Sequence, residues 1–198
     1  KTHLSDFSFL IFMAFTYRKL GIPEVMLVEA QSFSDHRGYF LESFKESDFL
    51  SNGINRKFVQ DNFSHSTKGV LRGLHYQKNP NAQAKLVIAL RGEIFDVAVD
   101  IRKNSPTYGG WVGEILSEKN HRLLYIPEGF AHGFCVLSEE ADVLYKVTTE
   151  YSPKDEMGIM WDDPEINISW PIDNPILHEK DSHLSSLKNT DNNFVYLH

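Results

Sequence analysis

Lys85-Leu86-Val87-Ile88-Ala89-Leu90-Arg91-Gly92-Glu93-Ile94-Phe95-Asp96-Val97-Ala98-Val99-Asp100-Ile101 is the stretch that decides the fold class. Two β-rich arms flank Arg91-Gly92, and this spacing predicts a β-hairpin. In the second arm Phe95, Val97, Val99 and Ile101 share one face, while Ile94, Asp96, Ala98 and Asp100 share the other. Aspartates on an otherwise apolar strand mark either the lining of a polar cavity or a solvated face, and the pattern leaves both open.

Outward from this stretch, further strands are expected at 25–30, 58–65, 111–116, 122–126, 133–137 and 142–151. Pro and Gly punctuate them at intervals of about ten residues, the pattern of a barrel or double-sheet jelly roll. One short helix is expected at 45–52, closed by Gly53. The chain from Pro171 onward is irregular and is expected to wrap the barrel. The fold class is therefore all-β, a jelly-roll barrel with a few short peripheral helices.

The chain has 198 residues, 41% hydrophobic, 24% charged and 13% aromatic. That suits one globular domain with a sizeable core. We expect a single domain over 23–198 and an N-terminal extension over 1–22, with Met13-Ala14 as a natural start. The apolar run Phe7 to Phe15 is too short to span a bilayer and lacks the basic flank of a signal peptide. Packing against a partner subunit is another use for it. A net charge of −7 argues against a nucleic-acid polymer as partner while leaving room for a local basic pocket. The single cysteine, Cys135, lies in an apolar run and reads as a small buried hydrophobe. It can form no disulfide within the chain, so a reducing, cytoplasmic setting is expected, with no membrane partner.

Polar residues interrupt the β-pattern in four segments. The first is Asp35-His36-Arg37-Gly38-Tyr39-Phe40-Leu41-Glu42. The second holds Gln60-Asp61-Asn62 and continues to Leu71-Arg72-Gly73-Leu74-His75-Tyr76-Gln77. Gln60 and Asn62 are two apart and face the same way. Arg72 and His75 would point to opposite faces of a regular strand, unless a bulge at Arg72-Gly73 intervenes. His75 alone also fits a hydrogen-bonded structural histidine. The third segment, Pro127-Glu128-Gly129-Phe130-Ala131-His132, matches one half of the metal-ligand pattern of cupins. The other half needs His-x-His, and the chain reads His75-Tyr76-Gln77, a poor set for iron or zinc. In the fourth, Tyr145 and Tyr151 would share one strand face roughly 20 Å apart, too far for a small ligand to touch both.

Five motifs taken together carry a resemblance. They are Asp35-x-Arg37-Gly38, Leu71-Arg72-Gly73-Leu74-His75, the run Phe95 to Arg102, the run Ile126 to Phe134, and Trp161-Asp162-Asp163-Pro164. In order and spacing they resemble the dTDP-4-dehydrorhamnose 3,5-epimerases, metal-free cupins, over about residues 23–182. The resemblance implies a homodimeric isomerase that needs no cofactor and no metal. It would convert dTDP-4-dehydro-6-deoxy-D-glucose to dTDP-4-dehydro-L-rhamnose. It implies His75 as general base, Asp181 as the carboxylate orienting it, Tyr145 as general acid and Lys85 beside the substrate carbonyl. It implies Arg37, Glu42, Gln60, Asn62, Arg72, His132, Glu156 and Lys180 as ligand-binding positions, and Tyr151 as a stacking partner for thymine. It also favours one shared pocket for Arg72 and His75.

The chemistry suits these residue types. Protons on C3 and C5 are α to the C4 ketone, and removing one gives an enolate. A histidine titrates near working pH, and a lysine ammonium can stabilise the developing charge. A single-position epimerase, a keto-isomerase on a related sugar nucleotide, and a non-catalytic sugar-binding cupin stay open as alternatives.

Overall fold

The computed structural model describes residues 14–197. The strands in chain order are β1 (Phe15–Lys19), β2 (Met26–Ala30), β3 (Ser32–Asp35), β4 (Gly38–Leu41), β5 (Gln60–Thr67), β6 (Leu71–Gln77), β7 (Lys85–Arg91), β8 (Glu93–Asp100), β9 (Trp111–Ser117), β10 (Arg122–Ile126), β11 (Phe130–Val136), β12 (Glu140–Val147) and β13 (Glu156–Gly158). A helix, α1 (Glu46–Ser51), and a 3-10 turn (Asp181–His183) complete the described elements. Two antiparallel sheets face each other, one ordered β1-β2-β10-β7-β12-β5 and the other β13-β6-β11-β8-β9. This is the double-sheet barrel expected. β3 and β4 form a separate two-stranded arm.

The predicted hairpin does not form. β7 and β8 lie in different sheets, so Arg91-Gly92 is a crossover between them. Gly92 has φ +73°, and a Cβ there would lie 2.1 Å from the Glu140 carbonyl oxygen. The turn therefore needs glycine, but the strand pairs with β12 and β10 rather than with its sequence neighbour. Period and turn chemistry mark where a strand ends. They do not say which sheet the next strand joins.

Packing explains why β7 is apolar from Leu86 to Ala89. Val87 and Ala89 face Ile94, Ala98, Phe134 and Val136 across the inter-sheet core. Leu86 and Ile88 face outward, under Phe49 of α1 and Ile54. The outward residues of β8, Val97 and Val99, are covered by Leu187 and Phe194 of the C-terminal wrap. Buried Asp163 pins that wrap, accepting from the backbone N–H groups of Glu165 (2.8 Å), Ile166 (3.2 Å) and Leu187 (2.7 Å). The aspartates of β8 face inward and are wholly buried. Asp100 closes one end of the barrel by binding Arg102, Ser105 and Thr107. Asp96 sits behind the cavity described below.

Two boundaries differ from expectation. The apolar run Phe7 to Phe15 lies mostly outside the described residues, but β1, inside the span read as an extension, is an edge strand of the first sheet. Its Phe15 packs edge-to-face on Phe49 at 5.1 Å between ring centroids. The strand predicted over 142–151 ends at Val147. Thr148 and Thr149 then bond to the backbone of Ala84 and Ala82, which turns the chain aside.

Candidate active site

The bulge expected at Arg72-Gly73 is present. His132 of β11 pairs with His75 and Phe134 with Arg72, so Gly73 and Leu74 together oppose Gly133. Gly73 has φ +117°, and a Cβ on it would lie 2.6 Å from the His132 carbonyl oxygen and 2.7 Å from Gly133 Cα. The backbones meet where no side chain fits. The extra residue turns Arg72 and His75 onto the same cavity, about 420 Å³ in volume.

Eight of the predicted site residues line this cavity: Arg72, His75, Lys85, His132, Tyr145, Glu156, Lys180 and Asp181. A smaller adjoining cavity of about 200 Å³ shares His75, Lys85, Tyr145 and Glu156 and adds Gln60, Asn62 and Tyr151. Because the chain turns after Val147, Tyr145 and Tyr151 line one cavity instead of standing far apart on one strand. Arg37 and Glu42 are not brought in. Arg37 is exposed on the β3–β4 arm, paired with Asp35. Glu42 follows the arm, with one carboxylate oxygen buried and without a hydrogen-bond partner among the described residues.

His75 Nε2 lies 2.7 Å from Asp181 Oδ1. Asp181 is buried, and its other oxygen accepts from the Gly73 N–H at 3.2 Å. Burial alone would raise the Asp181 pKa, but the hydrogen bond and charge of His75 hold it below the usual carboxylate range. A carboxylate at Nε2 makes that nitrogen the proton-bearing one and leaves Nδ1 free to accept a proton. Across the cavity, Tyr145 stands on the opposite sheet, in register with Val87 and Asn62. Burial raises its phenol pKa, with Arg72 opposing. The phenol therefore keeps its proton at neutral pH.

Lys85 Nζ lies 3.5 Å from the His75 carbonyl oxygen and 3.4 Å from His132 Nδ1. Burial pulls its pKa down to about 8, with Asp96 and Glu156 opposing. His132 is buried, and its Nε2 is 2.7 Å from Asp96 Oδ1. Both of its ring nitrogens are therefore engaged by protein, as is Nε2 of His75. Among the described residues no group of three or more His, Cys, Asp or Glu side chains converges as a metal site. At the mouth, Glu156 binds Lys180 and the Tyr151 hydroxyl (2.8 Å). Gln60 bonds Asn62 at 2.8 Å and receives the Tyr151 N–H at 3.0 Å.

Sequence reasoning missed several wall residues. Ser64 follows Gln60 and Asn62 at the same period-two spacing on β5, so that signal was there to read. Phe134 was legible only as core. Ile176, Leu177 and His178 come from the irregular C-terminal wrap, which has no periodicity to place them. Asp96 is an anomaly on an apolar strand, but no local pattern in the sequence pairs it with His132.

A two-sheet barrel whose cavity brings together a histidine–carboxylate pair, a facing phenol and a half-buried lysine has the architecture of a cupin-type enzyme and the groups that acid–base chemistry uses. Comparison with known proteins narrows this. Residues 19–189 match the family model of dTDP-4-dehydrorhamnose 3,5-epimerase. The enzyme of that name from Shigella flexneri is 59% identical, covering 82% of this chain and 91% of the relative. That from Methanothermobacter thermautotrophicus is 50% identical, covering 92% and 98%. The crystal structure of the Legionella pneumophila 3,5-epimerase in complex with dTDP-4-keto-L-rhamnose superposes with a TM-score of 0.86 at 48% identity, covering 88% of this chain and 94% of that one. The chain belongs to the dTDP-4-dehydrorhamnose 3,5-epimerase family, and it is an isomerase.

Proposed function

We propose that this chain epimerises dTDP-4-dehydro-6-deoxy-D-glucose at C3 and C5 to dTDP-4-dehydro-L-rhamnose. The observation that carries the reading is the meeting of His75–Asp181, Lys85 and Tyr145 around one cavity. His75 Nδ1 takes a proton α to the C4 ketone, and the C–H electron pair moves into the ring as the ketone becomes an enolate. Asp181 orients the imidazole and stabilises it once protonated. Lys85, as an ammonium, stabilises the enolate oxygen inside a partly dry barrel. Tyr145 returns a proton from the other ring face; His75 then releases its proton to water and Tyr145 takes one up from water, and the cycle repeats at the second carbon. No step calls for a metal or a cofactor.

Arg72 and Lys180 supply positive charge for the diphosphate, and Arg makes bidentate contacts to it. Gln60, Asn62 and Glu156 line the way to Tyr151, whose exposed ring is free to stack on thymine. The carried-over positions Arg37 and Glu42 stand apart from this chain's cavity. Their arm also exposes the rings of Tyr39 and Phe40. Both features support a homodimer in which a second copy supplies the arm. Buried, unpaired Cys135 supports a reducing, cytoplasmic setting. Among the described residues no helix is long and apolar enough to cross a membrane.

His75→Ala tests the reading. Turnover should be lost while dTDP still binds, as measured by calorimetry. Unchanged turnover would overturn the mechanism.

A further inference from the structure

Asp96 is a buried carboxylate that no step above uses. It sits on the inward face of β8, fully shielded from solvent. One oxygen meets His132 Nε2 at 2.7 Å. The other is buried and has no hydrogen-bond partner among the described residues. A buried carboxylate left half-satisfied is costly, and an apolar pair in place of both Asp96 and His132 would serve a purely structural role at least as well. The arrangement makes sense if His132 passes the effect of Asp96 to something else. On the far side of the imidazole, Nδ1 faces Lys85 Nζ at 3.4 Å.

We propose that Asp96 is a positioning residue for the epimerisation: it fixes His132 in the Nε2–H tautomer, so that Nδ1 accepts from Lys85 and holds the ammonium against the enolate oxygen. This rests on the role of Lys85 given above and extends it by two residues into the barrel wall.

The tautomer follows from donor and acceptor needs. A carboxylate can only accept, so Nε2 must carry the proton. Nδ1 then has its lone pair free, and a lysine ammonium is a donor with no acceptor capacity. The opposite tautomer would place an N–H against the ammonium and a lone pair against the carboxylate, unfavourable on both sides. His132 stays neutral in this arrangement. Burial lowers its pKa, and Lys85 and His75 lower it further, against the pull of Asp96.

Charge points the same way. The titratable groups around Lys85 are Asp96 on β8, His132 on β11, His75 on β6, Glu156 on β13 and Tyr145 on β12. The two carboxylates work against burial to keep the lysine protonated. Glu156 already has a cation, Lys180. Among the described residues the Asp96 carboxylate hydrogen-bonds only to the neutral ring of His132, so its charge is left to act on Lys85.

The test uses Asp96→Asn, which keeps shape and removes charge. We expect kcat to fall roughly tenfold to a hundredfold, with KM and dTDP affinity little changed. The alkaline limb of the rate profile should move down by about one pH unit as Lys85 loses its counter-charge. A structural role alone would not move that limb. In parallel, ¹⁵N NMR of histidine-labelled wild-type protein should show His132 with Nε2 protonated and Nδ1 bare. This second measurement decides the matter should the variant fail to fold. A folded variant with unchanged kcat and alkaline limb overturns the proposal, as does an Nδ1–H tautomer in the wild type. Lys85→Ala separates the two levels. Loss of turnover there together with a silent Asp96→Asn removes Asp96 alone. Full turnover in Lys85→Ala removes the role of Lys85, and this proposal with it.

Discussion

Replacing Lys85 with methionine should make the protein more stable while removing its activity. The two side chains are similar in length and bulk, so the cavity wall is kept and the charge is removed. Burial takes the Lys85 pKa from 10.5 to about 8. That drop is worth about 3 kcal/mol against the charged form, at about 1.4 kcal/mol per pH unit. The ammonium lines a cavity and keeps some contact with water, so about 1–2 kcal/mol is the fair expectation. Methionine cannot replace the Lys85 hydrogen bonds to the His75 carbonyl and His132 Nδ1, but these are long and weak at 3.5 and 3.4 Å. At neutral pH the variant should melt about 2–8 °C higher in a chain of this size.

The sign carries a pH signature. Between about pH 8 and 10.5 the unfolded chain still holds the lysine proton and the folded chain has released it. Wild-type stability must therefore rise with pH relative to the variant across that window, and the gap should close near pH 10.5. Urea titrations of both proteins at intervals from pH 7 to 10.5 would measure this. A methionine variant less stable than wild type at pH 7, with a gap that ignores pH, would refute the claim that Lys85 is held charged against burial. Retained turnover in that variant would refute the reason for holding it.

Asp181→Asn should lower turnover by at least about a hundredfold. Because the folded pKa of Asp181 lies below 3.8, its stabilisation is present above that value and is lost as pH falls through the folded pKa. The stability gap to wild type should thus be full at pH 7 and shrink toward pH 3 in parallel urea titrations. Gly73→Ala forces a Cβ into the β11 backbone at a positive φ, so a loss of about 2 kcal/mol or more is expected in the same assay, with turnover falling as the bulge shifts. Asp163→Ala strands three backbone N–H groups and should cost about 2–4 kcal/mol, while dTDP affinity at 20 °C holds if the variant remains folded.

The sheets were legible because apolar runs and turn residues report local burial. β7 reads as a strand buried on both faces, and β8 alternates as a strand does. Their assignment to different sheets was not legible, because pairing depends on contacts distant in the chain. The Arg72–His75 conflict was itself informative, since only a bulge could resolve it, and the glycine needed for one was in place. His75, Lys85 and Tyr145 gain meaning from one another, and they come from three strands of two sheets that only the fold brings together. Asp96 shows the limit most clearly. Its oddity was plain on the strand, yet its partner His132 lies 36 residues further on. The wall formed by Ile176 to His178 left no trace in periodicity, because irregular chain carries none.

The proposed reaction exchanges protons at two carbons of one sugar. Turnover of dTDP-4-dehydro-6-deoxy-D-glucose in deuterium oxide, followed by proton NMR, tests this directly. The mechanism predicts product with deuterium at both C3 and C5, each inverted. Label and inversion at one carbon alone, or product formed with neither position exchanged, would contradict it.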